Sequence, residues 1–410
     1  MPPESISPRF ILNSAWIADM SHLSCNVCAA PLTHALYESE GAQSLTSLCQ
    51  VRPGVTRVYA CGRCAHLQTE EMADAAAFYE SDYDILVHSE EEDQIYEVKP
   101  DGAQVYRTAH QVKVLLDKLP LPAGARILDY GCAKSATIKS LLAQRPDVQP
   151  HLFDVSARYI PFWEKFIEPG RWAVHETPAA WQDHFDVVTS FFSMEHMVRP
   201  EESVRKMAAM LKPGGALYCI VPNVATNVAD FIVLDHVNHF SAPSLQRLLQ
   251  DAGLAVESID DTAHRGAFVV VARRAAEPRQ VALPAEFPQQ VQDWLARFQG
   301  MASFWSNVAG RVRQQEAALP PDTEVAIYGA GFYGAFVVSC LKAPQRVVCH
   351  LDQNIYLQGR ELNGRPILAP AQLPAHIRHV WVGLNPAHAR QIIAQVDALA
   401  ARPLSFLFLE

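Results

Sequence analysis

The chain has 410 residues, 49% hydrophobic and 19% charged, with a formal net charge of -10. That length can bury more than one core and predicts two or three domains, while the acidic balance argues against a general nucleic-acid binder, which carries a basic excess. No run reaches the roughly 18 apolar residues of a membrane span, and the opening MPPESISPRFILNSAWIADM has no basic region ahead of an apolar core, so a cytoplasmic protein without a signal peptide is expected.

Five of the nine cysteines fall in the first 64 residues, four of them in the pairs CNVC (Cys25, Cys28) and CGRC (Cys61, Cys64). Two CxxC elements about thirty residues apart can converge on one tetrahedral thiolate site. In a reducing compartment metal ligation is favoured over disulfides, and a redox CxxC needs no twin. The expectation is a structural zinc with no open position, within a module spanning residues 1–75. Cys49 or His66 could stand in for one ligand. The stretch SEEEDQIYEVKPDGAQVYRTAHQVKVLLDKL is then expected to turn helical, its acidic run forming a solvated face or a helix start.

From Ala125 strands and helices alternate. ARILDYG, VQPHLFDVS, HFDVVTSFFS, ALYCIVPN and AFVVVARR read as strands, with ATIKSLLAQR, PEESVRKMAAMLKPGG and SAPSLQRLLQDAGL as helices. The pattern predicts an α/β fold with a parallel, doubly wound sheet, within a domain spanning 76–275. In ILDYGCAKSAT, Asp129 ends the first strand and Gly131 sits in the turn before a helix, where such folds bind nucleotides. Asp154 ends the next strand about twenty residues on, placed for two ribose hydroxyls. A dinucleotide turn wants three glycines, whereas this turn has one. A single glycine two residues after a carboxylate suits a cationic, phosphate-free ligand such as S-adenosylmethionine. The expected cofactor contacts are Asp129, Tyr130, Gly131, Cys132, Asp154, Val155, Ser190 and Phe191.

After Arg274 the Pro- and Ala-rich AAEPRQVALPAEFPQQ reads as a linker, followed by one long helix and a second α/β unit, together spanning 276–410. IYGAGFYGAF places Gly329, Gly331 and Gly334 between a strand and a helix, with Asp352 ending the next strand. In that context the glycines are a dinucleotide fingerprint, which leaves an NAD-dependent or bifunctional oxidoreductase open as an alternative. The turn and helix start could equally face a diphosphate group, through Gly331 and Tyr333.

Residues 125–275 resemble a class I S-adenosylmethionine-dependent methyltransferase, on ILDYGCAKSA, LFDVS, FDVVTSFFSMEHMVRPEESVRKMAAMLKPGGALYCIVPN and DHVNHFSAPSLQRLLQDAGL. The whole chain is similar to three-domain C-methyltransferases of nucleotide-linked deoxysugars, which have a zinc module, a methyltransferase domain and a C-terminal Rossmann-like domain. That resemblance implies proton abstraction next to a 4-keto group, and an enolate that takes the methyl group. It implies a carboxylate–histidine dipeptide as the base, here Asp235-His236, with Asp235 in place of the family's Glu and Val233 in place of its Tyr. Histidine can be neutral near pH 7 and accept a proton, while a neighbouring carboxylate fixes its tautomer. Asn238 and His239 are expected to hold the substrate, and Glu195-His196 to polarise a ketone oxygen. The implied substrate is a nucleotide sugar; a monomer or homodimer is expected. O-methylation of a sugar or related metabolite is the alternative.

Overall fold

A computed structural model describes residues 23–41, 43–72, 74–75, 78–79, 93–99, 102–275 and 282–410. Residues 1–22, most of the acidic run at 89–93, and 276–281 within the expected linker lie outside the described residues. No helix among the described residues is long and apolar enough to cross a membrane.

The N-terminal part is built from short strands: β1 (Ala35–Glu38), β2 (Gln43–Leu45), β3 (Val51–Pro53), β4 (Arg57–Ala60) and β5 (Leu67–Thr69). The four cysteines sit in two tight turns, Cys25–Cys28 before β1 and Cys61–Cys64 between β4 and β5. The segment expected to turn helical from the acidic run onward first makes a hairpin, β6 (Ile95–Val98) and β7 (Gln104–Tyr106), and only then helix α1 (Arg107–Lys118). The cause is local. Ile95, Tyr96 and Val98 favour a strand, and after it Gly102 takes φ +83 and donates its N–H to the Lys99 carbonyl.

The central layer runs β8 (Arg126–Tyr130), α2 (Ala136–Gln144), β9 (Gln149–Asp154), β10 (Trp172–Val174), β11 (Phe185–Phe191), α3 (Pro200–Met210), β12 (Leu211–Pro222), β13 (Asn238–His239), α4 (Ala242–Asp251), β14 (Leu254–His264) and β15 (Ala267–Arg274). All of these strands but β13 form a seven-stranded sheet in the order β10-β9-β8-β11-β12-β15-β14. β10 to β12 pair in parallel, as the strand–helix alternation requires. The expectation of an all-parallel sheet fails at one edge, where β15 and β14 are antiparallel. Only a Gly266 turn joins them, too short for a parallel crossover. Helix α4 starts at Ser241, whose hydroxyl accepts from the Ser244 N–H while the Ser244 hydroxyl accepts from the Ser241 N–H. Such a box is worth about 0.5–2 kcal/mol. It fixes where the preceding loop must end.

Helix α5 (Phe287–Ala318) leads to a six-stranded C-terminal sheet of β16 (Val325–Tyr328), β17 (Val347–Leu351), β18 (Glu361–Leu362), β19 (Arg365–Leu368), β20 (His379–Val382) and β21 (Ser405–Leu407), with helix α6 (Phe332–Cys340) following β16. One apolar core runs through all three parts, from Val58 and Leu67 through Phe231 and Phe240 to Phe298, Trp305 and Phe336. The N-terminal sheet also recruits a strand from the central part, because β13 pairs antiparallel with β5.

Candidate active site

Strands β8, β9 and β11 end on the same side of the sheet and open onto a cavity of about 520 Å³, lined, among the described residues, by ones between Glu71 and Ser203. The turn after β8 forms one wall. Gly131 takes φ +72, and a Cβ there would lie 1.9 Å from the Ser193 hydroxyl, so only glycine fits. Ala133, Ser135 and Phe192, all lining the cavity, hold φ of 45, 56 and 52, strain of a kind that clusters at functional sites. Ser135 stands where α2 should be capped, yet its side chain makes no cap and donates to Asp129 Oδ2 at 2.8 Å. Thr189 donates to the other Asp129 oxygen at 3.1 Å. Burial outweighs both bonds and pushes the Asp129 carboxyl up to about 7. Asp154 accepts from the Ala133 N–H at 2.8 Å and from the Ser156 N–H at 3.0 Å, which fixes its orientation.

Of the expected cofactor contacts, Asp129, Tyr130, Gly131, Cys132, Asp154, Val155 and Phe191 all line this cavity. Ser190 does not: alternation along β11 sends its side chain into the sheet packing, where its hydroxyl is buried and finds no partner among the described residues.

Of the four expected catalytic groups only His196 lines the cavity, together with Tyr79. His196 Nδ1 lies 3.0 Å from the Asp235 carbonyl and 3.0 Å from the Tyr79 hydroxyl, which itself donates to the same carbonyl at 2.9 Å. A carbonyl only accepts, so Nδ1 carries the proton and Nε2 the lone pair. Burial, then the charge of the nearby His236 ring, lowers His196 to about 4, keeping it neutral at pH 7. The ring of His236 stands edge-on behind it, 4.6 Å between centroids.

The dyad expected from Asp235-His236 does not form. Side chains of consecutive residues in this turn diverge, and the Asp235 carboxylate accepts from the Ser47 N–H and hydroxyl, each at 2.6 Å. Instead Asp230, six residues upstream, binds His236 Nδ1 at 2.5 Å and His239 Nδ1 at 3.0 Å, and is itself 2% exposed. Burial would discharge His236, but the Asp230 carboxylate, then Asp235 and Glu195, raise it to about 9. It is therefore charged near neutral pH, not the neutral base expected. Glu195 is fully buried and pushed up to about 7 by that burial.

This pairing predicts a pH dependence. His236 is raised from 6.5, so its stabilising charge is fully present below about 6.5 and is lost as pH rises through about 9. The melting temperature of wild type should fall more steeply between those values than that of His236→Gln; parallel melting curves would contradict the pairing.

The expected substrate contacts all lie off the cavity. Asn238 and His239 are fully buried in β13. Gly331 is exposed on the C-terminal part, and Tyr333 stacks on Trp305, 5.5 Å between centroids. Residues that sequence reasoning missed include Tyr79, Arg107, Lys134 and Ser135 on the cavity wall, and Asp230 behind it. Lys134 and Ser135 lie inside the turn already singled out. Tyr79, Arg107 and Asp230 carry no local signal.

The four cysteines converge. Cys25 and Cys64 sulfurs are 3.7 Å apart, Cys28 and Cys61 sulfurs 3.4 Å, and all four lie within 4.8 Å of one another. A disulfide would need about 2.0 Å, whereas a tetrahedral zinc with Zn–S near 2.3 Å sets sulfurs about 3.8 Å apart. The donor set therefore fits such an ion. Cys49 and His66 are not in the cluster, and His66 Nε2 is instead 3.1 Å from Asn238 Oδ1.

Residues 103–259 match a family model described as a methyltransferase domain. The chain is 30% identical over 157 residues to a ubiquinone biosynthesis O-methyltransferase of Xanthomonas axonopodis pv. citri (strain 306), covering 34% of this chain and 66% of that protein. It is 27% identical over 215 residues to a 27-O-demethylrifamycin SV methyltransferase of Amycolatopsis mediterranei (strain S699), covering 46% and 76%. A solved S-adenosylmethionine dependent methyltransferase from Mesorhizobium loti matches at 16% identity and a TM-score of 0.34, covering 42% of this chain and 99% of that one. The chain spans just under two thirds of the first relative's length.

Proposed function

We propose that this chain, whose residues 103–259 are an S-adenosylmethionine-dependent methyltransferase domain, methylates a carbon next to a keto group in a nucleotide-linked sugar. The observation that carries the proposal is a single cavity lined both by the strained turn with Asp129 and Asp154 and by Tyr79 and His196. The wall fits S-adenosylmethionine. Gly131 leaves room for close approach, Asp154 retains lone pairs for ribose hydroxyls, and Val155, 62% exposed beside it, offers an apolar seat for a purine. When bound, that cofactor supplies a methyl group on a sulfonium.

The protein's own part is proton and charge management. Neutral His196 takes the proton of the acceptor carbon on Nε2, while Tyr79 and the Asp235 carbonyl hold its ring. His236, kept charged by Asp230 behind His196, lowers the energy of the enolate that forms. Roles expected from the sequence are thus exchanged between the two histidines. The nucleotide sugar rests on the three-part resemblance, and zinc on the four thiolates is part of the same proposal.

O-methylation is the second reading, favoured because the matched relatives are O-methyltransferases. Deuterium exchange separates the two. Wild type with a 4-keto nucleotide sugar in deuterated water, without methyl donor, should wash deuterium into the acceptor carbon, and His196→Ala should not. No exchange, with a methyl ether as the eventual product, would establish O-methylation.

Gly131→Ala tests the cofactor wall. A left-handed φ costs a non-glycine residue about 1–3 kcal/mol, and the added methyl also meets Ser193. Affinity for S-adenosylhomocysteine should fall at least about tenfold in a still-folded protein. Calorimetry giving wild-type affinity would remove the turn from the site.

A further inference from the structure

We infer that Asn238 is a positioning residue through which the four-cysteine turns hold His196 in place. Its side chain is 0% exposed and uses every hydrogen-bonding position of an amide. Its nitrogen donates to the carbonyls of Met194 at 3.1 Å and Met197 at 2.7 Å, the two residues that bracket Glu195-His196. Its oxygen accepts from Asn26 Nδ2 at 3.0 Å and His66 Nε2 at 3.1 Å. Asn26 lies between Cys25 and Cys28, and His66 follows Cys64 by two residues, so each cysteine turn contributes one of the two donors. Gln68, which pairs with Asn238 in β5–β13, ties the ends together: its side chain accepts from the Asn26 N–H at 2.8 Å and donates to the Ser24 carbonyl at 3.0 Å.

The turn at 194–196 is a single 3-10 turn with no side-chain cap, so it has little rigidity of its own. The carbonyls of Met194 and Met197 at its two ends both accept from one amide, and among the described residues the oxygen of that amide accepts only from groups of the N-terminal part. Displacing the cysteine turns therefore displaces His196, although neither turn lines the cavity. A saturated buried amide has no spare valence with which to re-pair, so the coupling is stiff. The inference rests on His196 acting at the acceptor.

The test uses the full chain and two variants. Asn238→Asp keeps the shape but removes both donors to Met194 and Met197; Asn26→Ala removes one bond at the far end. Both should keep the wild-type KM for the methyl donor and the wild-type metal content. Turnover should drop about tenfold for Asn26→Ala and about 10²-fold for Asn238→Asp, as for small misplacements of a reacting group. Hydrogen exchange read by mass spectrometry should accelerate in peptides over 193–198 and stay unchanged over 127–135. If Asn238→Asp does not fold, Asn26→Ala decides alone. Unchanged exchange at 193–198 in Asn26→Ala overturns the inference, and so does faster exchange with wild-type turnover while His196→Ala is slow. Normal turnover in His196→Ala strikes the functional reading instead, and the exchange data then still decide whether Asn238 holds the turn.

Discussion

His196→Ala should lower turnover by about 10²–10⁴-fold, the usual contribution of a positioned general base. His196 is the ring that lines the cavity, its Nδ1 proton is committed to the Asp235 carbonyl, and its Nε2 lone pair is unprotonated at neutral pH. Affinity for substrate and cofactor should change little, because the lost interaction belongs mainly to the transition state. His236→Ala should cost less turnover, since His236 stands behind His196 and acts through its charge. It should cost more stability, because Asp230 is then left buried with one partner fewer. Steady-state kinetics on the two variants checks the order. A larger loss of turnover in His236→Ala would return the base to the position expected from sequence.

Cys61→Ser should abolish zinc binding and, with it, the order of the N-terminal sheet. Structural zinc supplies about 10–16 kcal/mol in small peptides, comparable to the whole stability of a domain at about 5–15 kcal/mol. The N-terminal sheet has only short strands and shares its core with the rest, so little else could replace the ion. Loss should also free β13, leaving Asp235 without Ser47 and the His236 carbonyl without the Thr69 hydroxyl. Activity should therefore fall with the metal. Metal analysis should find about one zinc per wild-type chain and less in the variant. A wild-type chain without zinc, with all four thiols titrating freely in the native state, would contradict this.

Much of the layout was legible because it rests on local signals. The strand–turn–helix at Asp129–Gly131, the carboxylate ending β9 and the twin cysteine pairs each combine a residue type with a spacing that chemistry demands. The cysteine pairs converge within one cluster, as that spacing anticipates. What was not legible depends on which side chains face each other after folding. Asp235 sits next to His236 in sequence, yet the buried partner is Asp230, brought in by the 3-10 turn Val228–Ile232. Tyr79 reaches His196 from 117 positions away. Asn238 and His239 read as substrate contacts because nothing local shows that β5 pairs with them. Tyr333 was offered to a substrate from its place after a glycine turn, but Trp305 on α5 covers it.

As proposed, this cavity brings a methyl donor to a proton-abstracting histidine. The most direct test of this is product mass: wild-type protein with methyl-labelled S-adenosylmethionine and a 4-keto nucleotide sugar, followed by intact mass of both products. The expected result is a sugar nucleotide heavier by one labelled methyl group, formed together with an equal amount of S-adenosylhomocysteine and lost in His196→Ala. No S-adenosylhomocysteine and no labelled product, with NAD instead bound and reduced in the presence of the same sugar, would contradict it.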